Sequence, residues 1–138
     1  MTLNLFGCFA MTELRGGTNV KALETTATYF RAPSSALPPP AHGSAPVGVD
    51  NVVGAGEGYF EIHTPSVTAL KWWIGGAADT ATHAAVYAQL VTPDGARHGV
   101  HVFVVQLRDP VTGRHVAGVE TGDVGPKMGR NGVSLGYG

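Results

Sequence analysis

One cysteine, Cys8, stands among 138 residues. A single thiol excludes an internal disulfide and any cysteine-based metal cluster, and it fits a reducing compartment or an organelle interior. Its chemistry suits a small buried apolar position. Charge is also scarce: Lys, Arg, Asp and Glu make up 14% of the chain, against roughly 25% in an average soluble protein. Part of the surface is therefore expected to be covered by something else, because large bare apolar patches mark interaction sites. The formal net charge of −1 supplies no basic field for nucleic acid or an anionic membrane. No apolar run nears the roughly 20 residues that cross a bilayer. The N-terminus lacks the basic start and cleavage pattern of a signal peptide. The final Gly136-Tyr137-Gly138 is not an organelle address of the Ser-Lys-Leu type, so no targeting signal is expected in this chain.

What is present reads as short strands punctuated by turns. Leu3 to Met11 predicts a strand interrupted at Gly7, and the Thr-rich Leu23 to Tyr29 predicts another. Arg15-Gly16-Gly17-Thr18-Asn19 between them is a turn by composition. Residues 32–58 hold five Pro, five Gly and five Ala, with no Lys or Arg. Such a stretch has little to bury against a core and predicts a long disordered loop. Beyond it, Tyr59–His63, Val67–Trp73 and His83–Val91 are strand candidates. The alanines around Thr80 to Tyr87 do not impose a helical period, so that stretch is also read as strand. Val100–Leu107 is apolar on both alternating faces and predicts a central, doubly covered strand. Pro93-Asp94-Gly95 and Asp109-Pro110-Val111-Thr112-Gly113 are turns, with weaker strands around Val116–Val119 and Gly122–Val124. The pattern predicts an all-β fold, an antiparallel barrel or sandwich, in one domain spanning 1–138.

Conventional reaction signatures are absent. Of six histidines only His98 and His101 are close, and an offset of three along a strand sends them to opposite faces. No metal site is expected. There is no Gly-x-Ser-x-Gly elbow, and Gly54-Ala55-Gly56-Glu57-Gly58 has neither the spacing nor the preceding strand of a nucleotide loop. On these grounds alone the chain is a β domain of open purpose, in which Trp72 and Trp73 are read most simply as core or interface aromatics.

Two segments say more. Gly7-Cys8-Phe9-Ala10-Met11-Thr12-Glu13-Leu14-Arg15-Gly16-Gly17-Thr18-Asn19 places a Thr-Glu pair ahead of a Gly-Thr-Asn turn. Lys71-Trp72-Trp73-Ile74-Gly75-Gly76 follows downstream, then Gly99 to Val105 and Gly122-Asp123-Val124-Gly125-Pro126-Lys127-Met128-Gly129. In this order they resemble segments of the acyl-CoA oxidase family within the acyl-CoA dehydrogenase and oxidase superfamily. The likeness covers nearly all of residues 6–132 apart from the loop. Asn19, where dehydrogenases usually carry Asp, and Leu23 to Tyr29 resemble the oxidase branch.

The resemblance implies the flavin-side middle β domain of such an enzyme, incomplete and carrying the 32–58 insertion. It implies FAD as cofactor, with Thr12 and Gly75 as flavin contacts, Trp73 as the stacking neighbour and Thr18 toward the acyl-thioester substrate. A flavin ring needs a flat apolar wall and a few donors at its polar edge, which these residue types can supply. Because neighbouring strand residues face opposite ways, one Trp alone is expected at the ring. Gly75 stands where dehydrogenases place a hydroxyl, which leaves room for oxygen. Thr18 is also read as a turn hydroxyl bonding its own backbone.

Arg15-Gly16 and Ile74 depart from the family pattern, where Gly-His and Pro are commoner. No catalytic residue is expected here: the family's carboxylate base lies in a C-terminal region, and Glu13 belongs to the flavin-site motif. For the full-length parent the resemblance implies oxidation of fatty acyl-CoA to trans-2-enoyl-CoA, with O2 reduced to H2O2, in a peroxisomal homodimer. Two other readings stand beside it: a non-catalytic β module that binds a partner protein, and an acyl-CoA dehydrogenase fragment.

Overall fold

The computed structural model describes residues 5–31 and 58–138. Among these residues the chain builds eight strands: β1 Gly7–Ala10, β2 Thr26–Arg31, β3 Gly58–His63, β4 Trp72–Gly75, β5 His83–Val91, β6 Arg97–Gln106, β7 Gly122–Asp123 and β8 Leu135–Tyr137. The only helical pieces among the described residues are 3-10 turns at Val20–Ala22 and Val67–Ala69. The fold is all-β, as its turn spacing predicts.

Strand β5 organises the larger sheet. It is alternately buried along its first six residues, with Ala84, Val86 and Ala88 turned inward. Along one edge it pairs antiparallel with β6, from His83↔Gln106 to Val91↔Arg97. Along the other edge lie two strands end to end. β1 takes Gly7↔His83 to Ala10↔Val86, and β2 takes Thr26↔Gln89 to Thr28↔Val91. Strand β2 then pairs antiparallel with β3. A second sheet has the order β4-β8-β7. Ala10, Ile74, Ala77, Ala81, Ala84, Val86 and Leu107 form the core between them, with Cys8, Ile62, Val105 and Val119 packed against it. Cys8 is half-buried, and burial raises its thiol pKa against the opposing field of Arg108.

Several expectations shift in detail. Both β1–β5 and β2–β5 are parallel, so the larger sheet is mixed, and neither sheet closes into a barrel among the described residues. Strand β6 is an edge strand rather than a central one, since among the described residues it pairs with β5 alone. Its outward Val102 and Val104 remain exposed, as does Phe9 on the same side of β1, where it meets Tyr87 at a ring separation of 5.0 Å. Val67–Ala69 is a 3-10 turn because the Ser66 hydroxyl accepts the Ala69 N–H and caps it. Val116–Val119 forms no strand, and the strand around 122–124 reduces to β7. The 32–58 loop lies outside the described residues except Gly58, which opens β3; the flanking pairs Arg31↔Gly58 and Phe30↔Tyr59 make a hairpin stem.

Buried polar groups tie these pieces together. Arg108, a residue 6% exposed, donates from its guanidinium to Ala81 O, Ala78 O and the Thr121 hydroxyl at 3.0, 2.6 and 2.6 Å. It thereby joins the end of β6 to the Ala77–Thr82 turn. Gly136, in the centre of the small sheet, is packed on by backbone. A Cβ there would lie 2.5 Å from Ala78 N and 3.0 Å from Gly122 O, atoms that cannot rotate away. Gly136→Ala should therefore destabilise the chain by about 1–3 kcal/mol in urea unfolding. Gly75→Ala, with nothing within 4 Å of its added Cβ, should be nearly neutral. Equal effects of the two would contradict this packing.

Candidate functional site

The Thr12-Glu13 and Lys71-Trp72-Trp73 segments meet in the structure, although 58 residues separate Glu13 from Lys71. Trp72 N–H donates to Thr12 O at 2.9 Å, and Leu14 N–H to Leu70 O at 2.8 Å. Between these backbone bonds lies a buried ion pair. Lys71 Nζ sits 3.1 Å from Glu13 Oε1, with side chains 6% and 2% exposed. Breaking such a pair leaves an uncompensated buried charge, so its remaining bonds decide whether it is tolerated.

They are complete. Glu13 accepts from Thr25 Oγ1 at 2.6 Å, Thr25 N at 3.0 Å and Glu24 N at 2.8 Å. Lys71 Nζ also donates to Met11 O at 3.2 Å and Tyr87 O at 2.7 Å, so each of its three protons has an acceptor. Tyr87 falls in the break on the β5 edge between β1, which ends opposite Val86, and β2, which starts opposite Gln89. The ammonium thus supplies a donor where the ladder has none.

Burial pushes the Glu13 carboxyl up, but the hydrogen bonds from Thr25, Glu24 and Lys71 outweigh it and leave the group below its ordinary value. Burial lowers the Lys71 ammonium, against the opposing pull of Glu13. Glu13 is therefore a fixed carboxylate with filled lone pairs, a structural latch and not a base awaiting a proton.

Beside the latch the backbone of β4 is distorted. Trp73 adopts φ +64°, the one positive value outside glycine among the described residues. It is the extra residue of a bulge, for Trp72 pairs with Tyr137 and Ile74 with Gly136. The bulge breaks the strand alternation, and both tryptophans line one cleft. With Val124, Pro126, Lys127, Met128 and Arg130 they enclose about 600 Å³, within the range of small-molecule sites. Trp72 is stiffened by stacking on Tyr137 at 5.5 Å, and Trp73 stays half exposed.

None of the other sequence-predicted residues lines this cleft. Thr12 is half-buried, bonded through its backbone to Trp72 and close beside Gly17, where an added Cβ would meet its methyl at 3.4 Å. Gly75 follows at the open end of β4. Thr18 is exposed in the turn, its carbonyl accepting Val20 N–H, and is not brought to the cleft. Lys71, Lys127 and Arg130 were missed as site residues in the sequence. Lys71 opens the Lys-Trp-Trp motif, which was its available signal; the other two gave none in isolation. A second cavity, about 410 Å³, lies among side chains that pack on the core, including Cys8, Ile62, Val105, Leu107 and Val119. No group of three or more metal-ligating side chains occurs among the described residues, nor a helix long and apolar enough to cross a membrane.

No protein-family model matches the chain. Curated sequences do. The chain is 46% identical over 133 residues to an acyl-coenzyme A oxidase of Saccharomyces cerevisiae, and 40% identical over 135 residues to the human peroxisomal acyl-coenzyme A oxidase 3. These alignments cover 96% and 98% of the chain but 14% and 16% of the relatives. Among solved structures, acyl-CoA oxidase-2 of Caenorhabditis elegans, bound with FAD, ascaroside-CoA and ATP, superposes with a TM-score of 0.74 and 36% identity over 97% of this chain and 16% of that one. The chain thus spans about one sixth of the length of these proteins.

Two outcomes test the site's construction. The Glu13 pKa is lower folded than unfolded, so its stabilisation is full above the ordinary value of 4.5 and is lost as pH falls through the folded value. Glu13→Gln should cost about 3–5 kcal/mol at neutral pH and flatten the acid limb of stability against pH; an unchanged acid limb would contradict the latch. Trp73→Gly should be more stable than Trp73→Ala by about 1 kcal/mol, the reverse of the order at an ordinary strand position. Thermal unfolding of the two variants checks the sign.

Proposed function

The chain belongs to the acyl-CoA oxidase family over the segment it spans, and from that premise we propose that it is the flavin-side middle β domain of such an enzyme, occupying residues 1–138 with an insertion at 32–58. The observation that carries this reading is the bulged Trp72–Trp73 wall locked to Thr12 by backbone and by the Glu13–Lys71 pair. The residues fit a flavin. A flat aromatic surface borders a cleft of suitable size, the neighbouring Thr12 carries a hydroxyl, and Gly75 leaves open space beside it.

In this reading Trp73 provides the stacking surface, Thr12 and Gly75 contact FAD, and Thr18 faces the acyl-thioester from the turn. When bound, flavin would supply the acceptor for the substrate's electrons, with O2 as the final oxidant. The chain's own residues orient the ring, hold its wall rigid and leave an oxygen path at Gly75. The parent reaction is oxidation of fatty acyl-CoA to trans-2-enoyl-CoA with release of H2O2, in peroxisomal β-oxidation and in a homodimer. The base that removes the substrate proton lies elsewhere in the parent, since Glu13 has its lone pairs filled. The bare apolar face of Phe9, Val102 and Val104 supports a domain that packs within a larger protein.

The test compares two polypeptides supplied with FAD and a long-chain acyl-CoA. The parent protein should release peroxide in step with enoyl-CoA, whereas the 138-residue chain should release none. Acyl-CoA-dependent peroxide from the short chain would overturn the assignment of the base. A parent that passes electrons only to a carrier protein, with no peroxide, would make it a dehydrogenase.

A further inference from the structure

The wall opposite the two indoles has an assembled structure of its own. Segment Val124–Arg130 is a loop closed by a turn at Lys127–Arg130, whose glycines, Gly125 and Gly129, take φ of +83° and +75°, conformations costly to other residues. Its backbone is fixed on both sides: Lys127 N–H donates to Asn131 Oδ1 at 2.6 Å, and Arg130 N–H to Lys127 O at 3.0 Å. This turn draws a lysine into the cleft. The Lys127 side chain is 8% exposed, and among the described residues its ammonium makes one hydrogen bond, to Gly125 O at 2.9 Å. Asp123 stands 3.9 Å away and is half exposed, already accepting the Gly125 N–H. Arg130, on the same rim, is exposed, and its guanidinium bonds no carboxylate or carbonyl among the described residues. Two cations therefore line one cleft with two indoles, and among the described residues the counter-charge nearest Lys127 is solvated and partly committed.

We propose that Lys127 and Arg130 form an anion subsite that binds the diphosphate of a nucleotide whose planar ring lies against Trp72 and Trp73. The inference rests on the flavin reading above and extends it to the rim that faces the wall. A guanidinium fork matches adjacent phosphate oxygens in pairs, while a buried ammonium acts as a fixed point charge. The diphosphate has two chemical sources, the flavin dinucleotide and coenzyme A, and the ligand set below separates them.

The 138-residue chain is titrated at low salt with FAD, with riboflavin, which has the same ring and no phosphate, and with coenzyme A. The readouts are flavin fluorescence anisotropy and calorimetry. FAD should bind about tenfold more tightly than riboflavin, the scale of one charge-assisted hydrogen bond. Arg130→Gln, a surface change, should close most of that gap, and Lys127→Met should close the remainder. Coenzyme A binding that Arg130→Gln abolishes, with FAD no tighter than riboflavin, would uphold the subsite and assign it to the substrate. Equal binding of FAD and riboflavin, with no coenzyme A binding, would overturn the subsite while leaving the Trp wall in place. Failure of both flavins to bind would overturn the flavin reading itself.

Discussion

Along one edge of β5 two strands lie end to end, and at the break between them the carbonyl of Tyr87 is met by the Lys71 ammonium. The rest of the site depends on that contact. Lys71 is held in place by Met11 O and Glu13, and Glu13 in turn by Thr25 and the Glu24 backbone. One cluster thus fastens the loop after β1, the approach to β2, the entry to β4 and the middle of β5. Its ionic character is expensive in a dry interior, and full satisfaction of every donor and acceptor offsets that cost. The geometry it secures is the antiparallel contact of residues 12–14 with 70–72, on which Trp73 is carried.

A rigid base is also what lets β4 hold a strained residue. A left-handed tryptophan costs free energy that the surroundings must outweigh. Here the latch precedes it, Tyr137 stacks on Trp72, and Ile74 is anchored in the core. The result is a cleft lined by both tryptophans and by a glycine-shaped turn bearing Lys127 and Arg130. Neither half owes its position to the other's chemistry, yet together they make a cleft with a flat wall and a charged rim.

Much of the fold was legible in the sequence where the signal is local. β3 and β5 follow their patterns of alternation and turn residues closely, and the stem of the 26–63 hairpin adjoins the Pro- and Gly-rich stretch. Long-range features were not. Nothing near β1 or β2 announces parallel pairing with a strand 76 residues on from Gly7 and 63 residues on from Thr26. The apolar β6 reads as central because its valines are equally apolar on both faces; the structure leaves one face bare. Ser66 capping turned a strand-like Val-Thr-Ala into a 3-10 turn. For the site, the resemblance supplied Thr12, Trp73, Gly75 and Thr18, and geometry joins the first three along one path. What the rule of strand alternation could not foresee is the bulge at Trp73, which places both tryptophans in the lining of one cleft.

The central claim is that the bulged tryptophan pair is the wall of a flavin site. It is tested most directly by quenching of intrinsic tryptophan fluorescence during titration with riboflavin. The chain has two tryptophans, Trp72 and Trp73, and both line the cleft. The account predicts saturable quenching of nearly all the emission, with affinity lost in Trp73→Leu while the fold is retained. Absence of saturable quenching, or affinity indifferent to Trp73→Leu, would contradict it.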